Sequence, residues 1–516
     1  MTTSCVQPHI SMFVLSALLG LSCPVSAWAR TKSPAADSLS IKFDRISAEA
    51  GLTLSITAVG NSNGKTTFSN KNGEGVEDAQ QYVSDVSILA GGHPLSVLHN
   101  SSGWTVKNKP QETLTVSYRL PPSGPTKIDA GAAEQFRPLI HEGLFHLIGN
   151  AALLLPIGRA ESEPLELNID ATNVVGEGQF VSSFGPGARL RGLSVTRGQV
   201  ASALYLGGPI KLSLHNTATG QVGVVYSALD AGFHGDDLRS DVLSIIEAER
   251  KFFSEGQAWY LVSLNGGLAQ NPSIFLGGGT GLTNSFAMFA VAGMDFSNTE
   301  QRKQFRWALA HEYFHQWNGI TLRVASRPLS KDDDAAIYWF SEGVTEFYSM
   351  RLLTRAGLQS PATSLGVLNN KLFSYAANKK RGISAKAAGA LFWADPDGEQ
   401  IPYLRGYLAA WYVDIALGRS SEGAHSLDTA MRALVERAKA DSKFRVNNSF
   451  LASYLTKGLT ARDANRFRTF AIDGGEMPLD PDSFGPCLEG EQVSIAGNAT
   501  LQFHFADPNA TSCFQH

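Results

Sequence analysis

Asn298–Gly319 reads NTEQRKQFRWALAHEYFHQWNG, and the reading of the whole chain turns on it. Asn298 or Thr299 can cap a helix, and Gly319 can stop one. Between them Phe305, Leu309 and Phe314 recur at helical spacing and define an apolar side. His311 and His315 lie four apart near the end of that helix. They therefore share a face and can bind one zinc ion together. Glu312 follows the first histidine and is placed to take a proton from a water activated by such an ion.

A catalytic zinc needs a third protein ligand and an open fourth position. Downstream, Tyr338–Glu346 reads YWFSEGVTE. A carboxylate at the start of a second helix, after an apolar approach, fits the role, and Glu342 is the candidate. Glu346 comes one turn later and can accept a hydrogen bond from a ligand histidine. A second histidine pair, in His141–His146 (HEGLFH), is set aside. Its members are five apart, which on a helix turns them ~140° away from each other. Lys331–Asp334 reads as a solvated loop.

Together His311–Gly319 (HEYFHQWNG) and Trp339–Tyr348 (WFSEGVTEFY) resemble the signature of the glycyl aminopeptidase family of zinc metallopeptidases. These are gluzincins with a thermolysin-like catalytic domain, distantly related to aminopeptidase N. The resemblance covers roughly residues 40–475. By motif position it implies that His311, His315 and Glu342 hold Zn2+ and that Glu312 is the general base. Tyr403-Leu404-Arg405-Gly406 is similar to the family's Tyr-x-Lys-Gly segment. That likeness makes Tyr403 the candidate donor to the tetrahedral oxyanion, with Arg405 keeping the positive charge of the usual lysine. One departure matters. The family's Gly-Gly-Leu-Glu-His strand, whose glutamate helps bind the substrate's α-amino group, corresponds to Gly277–Ser285 (GGGTGLTNS). Aligned on Gly281-Leu282, Thr283 replaces the glutamate and Asn284 the histidine, which removes the natural partner of an ammonium group. Gly279, Gly281, Leu282, Thr283 and Asn284 are the candidate substrate-binding residues, chiefly through backbone pairing with an extended peptide.

The rest of the chain agrees with that architecture. Between residues 40 and 230, short β-branched and aromatic runs such as Thr53–Val59, Gln81–Leu89, Thr113–Leu120 and Leu165–Ile169 alternate with turn residues. From about 236 the period becomes helical: Leu238, Val242, Ile245 and Ile246 form a stripe. Tyr260–Leu264 reads as a strand. Helical patterns dominate from Tyr338 to about Ile472, with breaks near Gly357–Pro361, Gly382 and Asp395–Gly398. The expected fold class is α+β and multidomain: an N-terminal β-sandwich-like domain (30–215), then a mostly helical thermolysin-like catalytic domain (216–475). A tail follows (476–516) with one strand, Leu501–Phe505.

Residues 1–29 carry no charged side chain, and Met12–Val25 is an apolar run followed by Ala27-Trp28-Ala29. The run is short for a membrane span and matches a signal peptide cleaved near Ala29. Of the four cysteines, Cys487 and Cys513 would remain, an even pair that reads as one disulfide in an oxidising compartment. With 43 basic and 47 acidic residues among 516, the chain shows no basic excess of the kind a nucleic-acid binder carries. The expectation is an exported, periplasmic or secreted zinc metallopeptidase acting on a peptide or protein. Aminopeptidase-type action leads. A zinc endopeptidase lacking the amine anchor, or a catalytically silent peptide-binding protein, are the alternatives.

Overall fold

The computed structural model describes residues 37–70, 78–123, 137–141, 143–175, 178–227, 238–268, 276–291, 297–323, 336–392, 394–441, 443–507 and 514. The segment read as a signal peptide, the Lys331–Asp334 run and Cys513 lie outside them. The N-terminal part is strand-rich and the C-terminal part helical. Many expected strands form near their expected places, including Thr113–Leu120 and Pro164–Asp170. Gln81–Leu89 divides: Ala79–Tyr82 is a short 3-10 turn and the strand is Ser84–Ala90.

Strand alternation builds the layers. In Ser38–Ser47, Leu39, Ile41 and Phe43 point inward from a seven-stranded sheet. They share a core with Phe145, Leu147, Phe180 and Tyr205 of a five-stranded sheet. Leu144–Ile148 in that second sheet is buried along its whole length. The pleat sends Phe145 and Leu147 to one face, while Leu144 and Ile148 enter a second core on the other. That second core also takes Val225, Leu261, Leu282, Ala287 and Phe289.

Those five residues belong to the sheet that backs the helices. Its order is Lys211–Thr217, Gly220–Ser227, Trp259–Leu268, Ser285–Val291 and Leu276–Leu282. The middle three strands run parallel. Leu276–Leu282, the glycine-rich stretch, is antiparallel at the edge. On the helical side Val222, Tyr260, Val262, Phe286 and Met288 join Phe305, Leu309, Tyr313 and Phe314 in the largest core.

The helices that matter for the site have clear starts. Asn298 caps Thr299–Phe314 by accepting from the amides of Glu300 and Gln301 at 3.0 and 3.3 Å. Ser360 and Asp395 cap Pro361–Ala377 and Pro396–Ser420, each with proline in the first turn. The tail differs from the single expected strand. Leu488–Ile495 pairs with Asn498–Phe505 in a hairpin, closed by Ala496-Gly497 at positive φ. The polar alternation of LEGEQVSI hides one strand of a sheet with a single buried face.

Candidate metal centre and active site

The regular part of the histidine helix ends at Phe314, with His315 still helical, so His311 and His315 occupy its last turn. A wide turn, Gln316–Thr321, follows, and its helical backbone breaks at Asn318 and Gly319, where the stop is expected. There Asn318 takes two roles: its carbonyl faces His315 Nδ1 at 3.1 Å, and its amide nitrogen donates to Phe340 O at 2.9 Å and Thr345 Oγ1 at 3.0 Å. A proton on His315 Nδ1 leaves Nε2 as the free lone pair. The same residue ties the histidine turn to the segment carrying Glu342.

That segment, Trp339–Val344, runs directly into the helix Thr345–Arg355. It packs on Pro396–Ser420 backbone to backbone. A Cβ on Gly343 would strike Gly406 and Pro402, and one on Gly406 would strike the Trp339 carbonyl. The two glycines, sixty-odd residues apart, set Tyr403 and Glu342 on neighbouring surfaces.

His311, His315 and Glu342 converge. His311 Nε2 lies 3.2 Å from His315 Nε2 and 3.3 Å from Glu342 Oε2, and His315 Nε2 lies 3.5 Å from the same oxygen. A point in their plane equidistant from all three is about 1.9 Å from each, slightly inside the roughly 2.0–2.1 Å of a zinc–nitrogen bond. These three side chains are therefore the ones that would hold such an ion. The donor set, two imidazoles and one carboxylate, is that of a catalytic zinc site.

His311 Nδ1 faces Glu346 Oε2 at 3.2 Å. Burial would push the Glu346 carboxyl up, but Lys371 and His311 outweigh it and hold it down at about 2. Burial likewise disfavours a charged His311, yet its hydrogen bonds to Glu342 and Glu346 prevail and raise it to about 10.

A cavity of about 560 Å³ opens beside this group, lined among others by Gly279, Trp307, Glu312, Lys371, Gln400 and Tyr403. Its volume suits a small ligand or a few peptide residues. The Tyr403 ring centre is 6.0 Å from that of His311 and 5.8 Å from that of Phe392. Burial first, then Glu342, Glu312 and Glu346, lift the phenol well above its ordinary value, so it keeps its proton and can donate.

The glycine strand meets the site only in part. Gly279 lines the cavity, and its lack of Cβ makes room for the Phe286 ring. Gly281 passes close to the Glu312 carbonyl and the His315 Cβ. Leu282 is buried in the inter-sheet core, its carbonyl accepting from Gln316 Nε2 at 3.2 Å. Thr283 and Asn284 are not brought to the metal group. The Thr283 hydroxyl bonds Ser202 Oγ at 2.7 Å and its amide donates to Ser202 O. The Asn284 side chain accepts from Gln257 at 2.8 Å, and its backbone is left-handed. These two residues make the turn into Ser285–Val291, with their side chains engaged by Ser202 and Gln257. Arg405 is buried and donates to Arg381 O at 2.9 Å. Cys487 is disulfide-bonded.

Three contributors escaped the sequence reading. Trp307, one turn before His311, donates to Glu346 Oε2 at 2.7 Å; its i−4 spacing was the available signal. Asn318 carried a weaker one, three residues past His315. Lys371 carried none.

Residues 304–394, which hold both histidines, Glu312, Glu342 and Glu346, match the family described as M61 glycyl aminopeptidase. No curated protein is significantly similar to the chain. Among solved structures, an aminopeptidase N family protein from Idiomarina loihiensis superposes with a TM-score of 0.72 at 17% identity, over 88% of this chain and 79% of that one. An M1 zinc metallopeptidase from Deinococcus radiodurans, a mutant bound to a Tyr-Ser-Ala substrate, gives 0.52 at 16% identity, over 86% and 94%. At such identities these two speak for the fold alone. The family match falls on the segment that gathers His311, His315 and Glu342, and on that ground the chain is a zinc metallopeptidase, a hydrolase, similar over residues 304–394 to the glycyl aminopeptidases.

Proposed function

We propose that His311, His315 and Glu342 hold the zinc of a thermolysin-like catalytic domain, with Glu312 as general base and Tyr403 as oxyanion donor. The observation that carries this is the triangle of three donor atoms, 3.2 to 3.5 Å on a side. Bound zinc supplies a Lewis acid that polarises the scissile carbonyl and acidifies water. Glu312, half-buried in the cavity wall, takes the proton of the attacking water as the C–O bond forms. It then passes that proton to the amine as the C–N bond breaks. Tyr403, still protonated, donates to the oxygen that gathers charge. Glu346 keeps the Nδ1 proton on His311, so that Nε2 stays a ligand.

The substrate is a peptide, and aminopeptidase-type cleavage follows from the family. A second reading, a zinc endopeptidase, is favoured by Thr283 and Asn284, whose side chains are engaged by Ser202 and Gln257 rather than offered to an amine. Zinc analysis with cleavage of matched free and N-acetylated peptides tests both. Hydrolysis of free peptides alone supports aminopeptidase action, and hydrolysis of both supports the endopeptidase. A zinc-loaded protein inert on every peptide would overturn the catalytic reading and leave peptide binding. Export with cleavage near Ala29 belongs to the same proposal. The bonded Cys487 fits an oxidising compartment, with Cys513 as its partner. The division at about 215 and 475 into strand-rich domain, catalytic domain and tail is proposed likewise.

A further inference from the structure

Glu346 is held by three donors from two helices. Trp307 Nε1 and His311 Nδ1 share Oε2 at 2.7 and 3.2 Å, and Lys371 Nζ bonds Oε1. Trp307 and His311 stand on the histidine helix, whereas Lys371 stands on Pro361–Ala377, the helix that forms one cavity wall with Asn370 and Ser374. Glu346 is only 2% exposed, so no water competes for its oxygens. A carboxylate that receives donors on Oε2 alone can still pivot about its last bond. A cation on Oε1 closes that freedom and fixes where Oε2 points. The direction of Oε2 sets the plane of the His311 ring, and the ring sets where Nε2 meets the other two ligand atoms.

Charge gives a second reason. Glu312, Glu342 and Glu346 place three carboxylates around one divalent site. Lys371 is the one ammonium or guanidinium among the described residues lining the cavity.

We propose that Lys371 is a positioning residue: through Glu346 it locks the His311 ring and so fixes the grip and geometry of the zinc site, joining that site to the substrate-wall helix. This rests on the reading that His311, His315 and Glu342 hold zinc. The test uses the full chain as wild type, Lys371→Met, Lys371→Arg, Glu346→Gln and the double variant Glu346→Gln/Lys371→Met. Zinc affinity is measured by chelator competition, and the visible spectrum is recorded after Co2+ replacement. Lys371→Met is expected to weaken zinc binding about 10- to 100-fold and to shift the cobalt bands. Lys371→Arg should restore most of both. In the Glu346→Gln background the lysine change should add little, because the two act on one ligand. Wild-type affinity and an unchanged spectrum in Lys371→Met would overturn the proposal, whatever happens to thermal stability. So would a full-sized lysine effect without Glu346. A wild-type protein that takes up no stoichiometric zinc would instead overturn the metal site itself, and the proposal with it.

Discussion

Two stretches of this chain use nearly the same letters. His311–His315 reads HEYFH and His141–His146 reads HEGLFH. The first lies on one helical turn, with both imidazoles 3.2 Å apart beside a carboxylate. The second is a β-hairpin in which His146 pairs across to Leu139, not to His141. His141 is exposed, while His146 is buried between layers and faces Asn265 at 3.0 Å. Burial pushes His146 down to about 3, so it stays neutral and serves packing. Gly143 at positive φ makes the hairpin turn and gives the second stretch its extra residue. One helical turn gathers two imidazoles beside a carboxylate, whereas a hairpin turn at Gly143 sets one histidine in a buried layer and leaves the other exposed.

The largest expected effects would sharpen that contrast. His315→Ala should abolish stoichiometric zinc and bring hydrolysis to background, whereas a His141→Ala protein should keep both. Retained zinc in the first variant would break the comparison at its root. Glu312→Gln should keep zinc and lower turnover by about 10²–10⁴-fold; unchanged kcat would remove Glu312 as the base. Tyr403→Phe is expected to lower kcat by about 10²–10³-fold with little change in KM. An effect confined to KM would assign the phenol to binding instead.

Smaller effects probe the scaffold. Gly406→Ala forces a methyl against the Trp339 carbonyl and should destabilise the fold by about 1–3 kcal/mol or more, read by denaturant unfolding. His146→Ala leaves Asn265 without its imidazole partner in a buried layer, costing about 1–3 kcal/mol with zinc content unchanged. Asp241 makes stability depend on pH: despite burial, Arg302 and Arg306 hold its carboxyl below the ordinary aspartate value. Its contribution is present above that value and is lost as pH falls through the lowered one. Asp241→Asn should therefore flatten the acid limb of a stability profile.

How far the site was legible depends on spacing. His311, Glu312 and His315 are neighbours on one helix, so a periodic argument reaches them. Glu342 was reached by the type and place of a second motif. Lys371 and Gly406 were not given their roles, because their partners are distant in order and their identities are ordinary for helices. Thr283 and Asn284 were assigned by alignment alone, which carries no information about which way a turn faces. The strand Leu144–Ile148 escaped for a related reason: buried on both faces, LFHLI shows no alternation.

The order of residues determined whatever depends on contacts within a turn or a strand: the helix under HEYFH, its Asn298 cap, and the change from period two to helical period after residue 236. Packing between distant segments decided the rest. Gly343 against Gly406 brings Glu342 and Tyr403 together, Ser202 turns Thr283 away, and Lys371 meets Glu346 from another helix. Local geometry is fixed by the backbone's few allowed conformations, whereas the meeting of remote side chains depends on how whole layers settle against one another.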